Sequence, residues 1–588
     1  MPRTADHPRL PATTHRNAAG PAEEKNQHQS ARGNHHRSPP QTSFKCRRIA
    51  ELRRRGGGTV FTWGLGRAGA LGHDALDAEG VCALPAAMCL RGAVTHAVQV
   101  ACGADSTAVV TADGQLWTCG RGSRLGHGCK DVVPVPRRVA ALARHIVLQV
   151  SVGDAHAGCI LQSSRGSGSD SGGSDGHVAV TWGSGRRGAL GYGDTRDRLV
   201  PDPSHPLRFP TPSQKPASSG ESGTAAAPLR VRQIECAAST TAAIVDDGVD
   251  ASRKGQLWTW GCNEHGVLGL GNDARQPWYA APQQNPTLGC GDASTNGRER
   301  EGERVSEGGC DTVHVVDVAL GSVYAAAIDS HGQLWSWGYG GHGNLGHGDR
   351  RSTRVPRKVV LSQRGDNCDG DGTGGGGGNV VSQPAGGSMK GQRADASAIL
   401  TVTQVACTIG QTGFKGPRYY PQRGRSTAAC KNVPGSEGPH SAAIVNTPRL
   451  RGALATWGTC HKGVLADGVG GRKPQLGDRN DALVPRVVRE GAPDDGERVV
   501  VDKDAETTAA AAAPFVQVVA SSIHCLALDA AGRLFAFGCG SGGRCGVEVR
   551  SHAVACMRNR ACQRSDGVLP LLLQCSPFSQ ACMAVVQE

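Results

Sequence analysis

Between Gln256 and Trp260 the chain reads "QLWTW", and its side chains fall into two alternating sets. Leu257 and Thr259 share one face of an extended segment, Trp258 and Trp260 the other. The same period-two pattern returns along the chain, in "GQLWTCG" from 114, "HVAVTWG" from 177 and "GQLWSWG" from 332. Each predicts a strand. A second pattern precedes most of them: "VQVACGADSTAVVT" (98–111), "LQVSVGDAHAGCIL" (148–161), "RQIECAASTTAAIV" (232–245), "VDVALGSVYAAAID" (316–329) and "VQVVASSIHCLALD" (516–529). These predict strand, short polar loop, strand, then a tight turn into the tryptophan strand. Val135-Pro136, Val355-Pro356 and Val484-Pro485 follow as outer edge strands, since proline cannot donate to a ladder.

The tryptophan strand and the glycine-rich turn after it recur seven times, over 57–74, 114–128, 177–194, 255–273, 332–349, 452–468 and 532–546. The residue before the key glycine is Trp63, Cys119, Trp182, Trp260, Trp337, Trp457 or Phe537. The residue before that is always small (Thr62, Thr118, Thr181, Thr259, Ser336, Thr456, Ala536), as tight packing near a crowded axis would require. The large aromatics then fill the space between neighbouring sheets. Seven four-stranded units predict an all-β, seven-bladed β-propeller, whose radial repetition leaves only short edges. The first tryptophan strand lacks a preceding strand pair, and "LLLQCSPFSQACMAVV" (571–586) is expected to supply it, with Cys575 standing for Cys102 and Ser579 for Ser106.

Glycine spacing offers a competing reading. Gly338-x-Gly340-x-x-Gly343 has the form of a dinucleotide-binding fingerprint, as do Gly64-x-Gly66-x-x-Gly69, Gly183-x-Gly185-x-x-Gly188 and Gly538-x-Gly540-x-x-Gly543. That fingerprint requires a strand before it and a helix after it. No helical apolar pattern follows any of these stretches, so the glycines are turn residues and no cofactor is expected.

The 588 residues include 84 glycines and only 4% aromatics, which suits a turn-rich β protein. The net charge of +13 is uneven: residues 1–58 hold 12 Lys/Arg against 4 Asp/Glu. Residues 1–56 are expected to be a disordered basic tail and 57–588 the propeller. The densest cluster, Lys45, Arg47, Arg48, Arg53, Arg54 and Arg55, is a candidate import signal or an arm for chromatin or nucleic acid, and equally a solvated leader or a short amphipathic turn. Low-complexity composition predicts loop insertions at about 163–176, 201–228, 283–312, 363–398, 411–437 and 490–514. No apolar run of about 18 residues predicts a membrane span, and no apolar leader predicts secretion. A nuclear or cytoplasmic monomer is expected. The 22 cysteines contain no C-x-x-C pair, so no metal is assigned. Cys102, Cys236, Cys407 and Cys525 are read as one recurrent, small buried position.

With these motifs in place, the chain resembles the regulator-of-chromosome-condensation repeat family over roughly 57–588. The resemblance implies the propeller fold. It also implies a protein-interaction role, including guanine-nucleotide exchange on a Ran-like small GTPase, with a chromatin-associated adaptor lacking exchange activity as the alternative. The inter-strand loops that carry exchange in the family correspond here to Asp105, Asp154, His156, His440 and His524. Only "GDAH" (153–156) keeps the Gly-x-x-His form, and Tyr324 stands where a histidine would. Hydrogen bonding within the ring is the structural alternative for these residues. The branch that senses ultraviolet light clusters tryptophans in the same loops, which contain none here. No Ser-His-Asp or paired-carboxylate arrangement predicts an ordinary enzyme.

Overall fold

The computed structural model describes residues 42–73, 80–88, 96–163, 176–210, 229–246, 254–271, 276–288, 313–361, 401–408, 439–446, 451–459, 482–487, 513–522, 524–538, 555–557, 570–575 and 581–586. Among the described residues strands dominate, in seven antiparallel units of three or four strands, six of them in chain order. Two units run on as one seven-stranded sheet through a single parallel pair, Arg230 with His177. The first strands of the units are Ala97–Cys102, Val147–Val152, Arg230–Ala237, Val315–Leu320, Thr401–Cys407, Phe515–Ala520 and Pro570–Cys575. Each packs against the next, and the last returns to the first. This closed circuit makes the fold a propeller.

One unit is built from both ends of the sequence. Thr59–Leu65 pairs with Ala581–Val586, which pairs with Pro570–Cys575. The expected closing pair is therefore present, with one correction to its register. Cys575 occupies the Cys102 position, but the counterpart of Ser106 is Ala581, which faces Gly64 as Ser106 faces Gly120. Ser579 itself lies outside the described residues.

The tryptophans fill the seams between units. Trp63, Trp182, Trp260, Trp337 and Trp457 are all buried, and four indoles reach a backbone carbonyl of the preceding unit. Trp182 Nε1 donates to Arg124 O (2.8 Å), Trp260 to Ala189 O (3.0 Å), Trp337 to Val267 O (2.7 Å) and Trp457 to Asn344 O (2.8 Å). Cys119, which replaces the tryptophan in its copy, points its thiol at the matching carbonyl of Ala70. Phe537 fills the same position by packing alone.

The small residue beside the tryptophan has a different reason from the one its size suggested. It lies on the third strand out, away from the axis, and its hydroxyl fixes the Leu-Gly turn. Thr62, Thr118, Thr181, Thr259 and Ser336 donate to the carbonyls of Leu71, Leu125, Leu190, Leu268 and Leu345 at 2.6–2.9 Å. The glycine after the tryptophan position has φ between +95° and +110° in all seven copies, and at five of them (Gly64, Gly120, Gly261, Gly338 and Gly458) the ladder to the fourth strand shifts register in a bulge. Only glycine takes that conformation without strain.

Several other expectations change. The basic cluster is not a disordered tail over its whole length: Phe44–Arg54 forms an α-helix, α1, the only one among the described residues. The insertion expected at 201–228 begins as packed chain, with Leu207 and Phe209 buried where a fourth strand would lie. That expected at 283–312 likewise begins with Asn285 and Leu288 buried. The remaining stretches expected as insertions, 164–175, 211–228, 289–312, 363–398, 411–437 and 490–512, lie outside the described residues. Cys102, Cys236 and Cys407 do share one position, but Cys525 sits across the ladder from it, opposite Ala520.

Candidate functional site

The loops singled out by sequence join the first and second strands of each unit, and their histidines point inward. His156, His440 and His524 are fully buried. Each opens a second strand and reaches the second strand of the next unit. His156 Nε2 meets Thr241 Oγ1 at 2.8 Å, His440 Nε2 meets Cys525 Sγ at 3.2 Å, and His524 Nε2 meets Cys582 Sγ at 2.9 Å. Tyr324 takes the same place in its own unit, donating to the His440 carbonyl (2.6 Å) and pairing with Ser441 Oγ (3.1 Å). Burial depresses the imidazoles of His156 and His440 to about 4 and about 3, so both are neutral near pH 7. These are seam residues, and their geometry leaves them no surface to offer a partner.

The two carboxylates differ from the histidines. Asp105 and Asp154 are half-exposed in adjacent loops. Arg124, itself buried, ties those loops together: its Nε donates to Ser106 Oγ at 2.6 Å and its Nη1 to the Asp154 carbonyl. Ser123 Oγ adds a bond to Ala155 O at 3.0 Å. The Asp154 Oδ1 atom is buried without a hydrogen-bond partner. Burial raises that carboxyl to about 7, against the pull of Arg124. Sequence reasoning missed Arg124, since an arginine in a glycine-rich turn looks like surface charge.

The helix α1 packs against the inner strands of several units. Ser43 caps it, accepting from Cys46 N, and its apolar residues Ile49 and Leu52 are buried. Lys45 Nζ pairs with Glu235 on an inner strand at 3.1 Å, and Glu235 also accepts from Ser151 Oγ. Arg53 Nη2 donates to Val147 O at 2.7 Å, at the start of another inner strand. Arg48 and Arg55 pair with Glu51 on the helix itself. Of the six basic residues in the cluster, Arg47, Arg54 and Arg55 are exposed, while Lys45, Arg48 and Arg53 are half-buried. A cavity of about 410 Å³ remains between the helix and the strands carrying Gln149 and Gln233. Among the described residues no helix is long and apolar enough to cross a membrane.

The seam pattern repeats at a sequence level that can be compared directly. The regulator of chromosome condensation (RCC1) repeat family matches residues 57–110, 113–160, 254–293 and 331–367, and a second form of the repeat matches 97–125. The chain carries RCC1 repeats. The ultraviolet-B receptor UVR8 of Arabidopsis thaliana is 29% identical over 307 residues, which is 52% of this chain and 54% of UVR8. Protein RCC2 of Homo sapiens is 27% identical over 281 residues, 46% of this chain and 45% of RCC2. The chain thus spans about half the length of these relatives. Among solved structures, Prp20p of Saccharomyces cerevisiae, studied for its binding to Gsp1p and histones, superimposes with a TM-score of 0.56. That match covers 92% of this chain and 94% of Prp20p at 14% identity, which establishes a shared RCC1-type fold. The RCC1 repeats matched here contain Trp63, Cys119, Trp260 and Trp337, so the seam contacts belong to the repeat itself.

Proposed function

We propose that this RCC1-repeat propeller is a protein-interaction platform, and that a Ran-type small GTPase is the partner its loop face suits best. The observation that carries the reading is the separation of roles within the loops. The histidines lock neighbouring units together, while Asp105 and Asp154 stay half-exposed on a ring made rigid by those locks. Loops on a rigid scaffold are well suited to recognition. Carboxyl groups there suit a partner whose nucleotide site carries Mg²⁺ and lysine, because both bind carboxylate oxygen and their charge would draw the proton off Asp154. The RCC1-type relative Prp20p binds Gsp1p and histones, which supports a protein partner of this kind.

The experiment is release of labelled GDP from a Ran-type GTPase, with and without the full chain. Acceleration that disappears in the Asp105→Asn/Asp154→Asn variant supports exchange. No acceleration by folded protein removes exchange and leaves binding as the function, read by direct titration of the GTPase. The adaptor reading through the basic cluster is weakened, because Lys45 and Arg53 face the ring. Salt-sensitive DNA binding that is lost in an Arg47→Ala/Arg54→Ala/Arg55→Ala variant would restore it.

A further inference from the structure

The inner-strand cysteines follow a rule that breaks once. Cys102 lies across the ladder from Thr107, Cys236 from Thr241 and Cys407 from Ser441, so each thiol faces a hydroxyl. In the unit that joins the two ends of the chain, Cys575 lies across from Cys582, and two thiols face each other at 3.5 Å. His524 reaches this pair from the preceding unit, with Nε2 2.9 Å from Cys582 Sγ. The imidazole nitrogen and both sulfurs lie within 4.8 Å of one another, all on buried side chains.

The histidine is oriented differently from its equivalents. His524 Nδ1 is paired with Ser521 Oγ at 2.9 Å. His156 Nδ1 and His440 Nδ1 are buried with no hydrogen-bond partner. With Nδ1–H donating to Ser521 Oγ, the Nε2 lone pair is directed at the sulfurs, which is how metal-binding imidazoles are held. Two thiolates on a tetrahedral zinc, with Zn–S about 2.3 Å, stand about 3.7 Å apart. The observed sulfur separation is within a few tenths of an ångström of that value.

We propose that His524, Cys575 and Cys582 form a binding site for a thiophilic d¹⁰ metal ion, zinc first, in the seam beside the closing unit. Soft sulfur and imidazole donors select such ions over hard cations. Binding converts two thiols to metal-bound thiolates and releases their two protons to solvent, while the imidazole enters neutral. A cuprous ion is satisfied by these three ligands. Zinc takes a fourth, either a water or the nearby thiol of Cys102. The absence of a C-x-x-C motif concealed the set, because its members come from two units and six residues separate the two cysteines.

The test uses the full chain, purified under reductant and dialysed against zinc. One tightly held zinc per chain is expected by elemental analysis, and the cobalt-substituted protein should show thiolate-to-cobalt absorption. Both should be lost in Cys582→Ser and in His524→Gln, and kept in Cys236→Ser. Ser521→Ala should weaken zinc binding about tenfold without removing a ligand. Stoichiometric copper in place of zinc supports the site with a cuprous ion. Folded wild-type protein that takes up no zinc or copper and gives no cobalt–thiolate band overturns the proposal, even if every variant misfolds. Undiminished metal content in the Cys575→Ser/Cys582→Ser variant, or a Cys575–Cys582 disulfide in protein that binds no metal after reduction, also overturns it.

Discussion

Lys45 and Glu235 stand 190 residues apart in sequence and 3.1 Å apart in space. Burial alone would depress the Lys45 ammonium, yet Glu235 and Asp317 beside it hold it above its ordinary value. This pair fastens α1 to the inner strands. Replacing Lys45 with Met leaves the Glu235 carboxylate to Ser151 alone, at a cost of about 1–3 kcal/mol. The expected result is faster amide exchange over residues 44–54 and a lower denaturant midpoint. The double variant Lys45→Met/Glu235→Met should recover part of the loss, since it strands no charge. Unchanged exchange in α1 would show that Ile49 and Leu52 suffice to hold the helix.

Trp260 tests the seam. Trp260→Phe keeps most of the ring but removes the bond to Ala189 O, and should cost about 1–2 kcal/mol. Trp260→Ala also opens a cavity, and should cost about 3–5 kcal/mol. Chemical denaturation of both variants separates the two contributions. Phe537 sets the precedent for the first, since its seam already does without an indole.

Gly183 tests the positive φ that follows the tryptophan. Its φ is +110°, and a methyl group there would lie 2.6 Å from the carbonyl oxygen of Ala155. Gly183→Ala combines a strained backbone with that clash, and should cost at least about 2 kcal/mol. A melting temperature equal to the parent's would show that the strand can flatten.

Stability should depend on pH in two opposing ways. His156 and His440 take up protons more readily unfolded than folded, because burial holds them at about 4 and about 3 against an ordinary 6.5. Their contribution is present above 6.5 and is lost as the pH falls towards those values. Asp154 and Asp317 act in the reverse sense. Burial raises both to about 7, so the folded form holds the proton more tightly between 3.8 and 7. Stability therefore declines as the pH rises through that window, and the full loss is felt above it. Asp154→Asn should raise the urea midpoint at about pH 8 and leave it unchanged at about pH 4. An equal effect at both values would remove Asp154 from the account.

Much of this architecture was legible because it repeats. Seven copies of a tryptophan strand, each with a small neighbour and a glycine, carry the blade plan and even the strand that closes the ring. What stayed hidden depends on pairs far apart in sequence. Thr62 and its equivalents look selected for size, and only the turn carbonyl seven or nine residues on shows that the hydroxyl matters. The run from Lys45 to Arg55 reads as solvated charge, because Ile49 and Leu52 are a thin apolar stripe and the carboxylate that receives Lys45 is remote. The loop histidines look like recognition residues until their partners in the next unit are seen. Thr241, Cys525 and Cys582 carry no local mark of that role.

The strand Thr59–Leu65 has consequences for how the ring assembles. Its ladder is completed by Ala581–Val586, so the contact that closes the circuit joins segments from opposite extremes of the described residues. Until that contact forms, the edge of Thr59–Leu65 is open, and an open edge invites pairing with another chain. Closing so long a loop is entropically slow. Refolding from denaturant should therefore lose yield to aggregation as protein concentration rises, and a chain lacking 570–586 should lose the most.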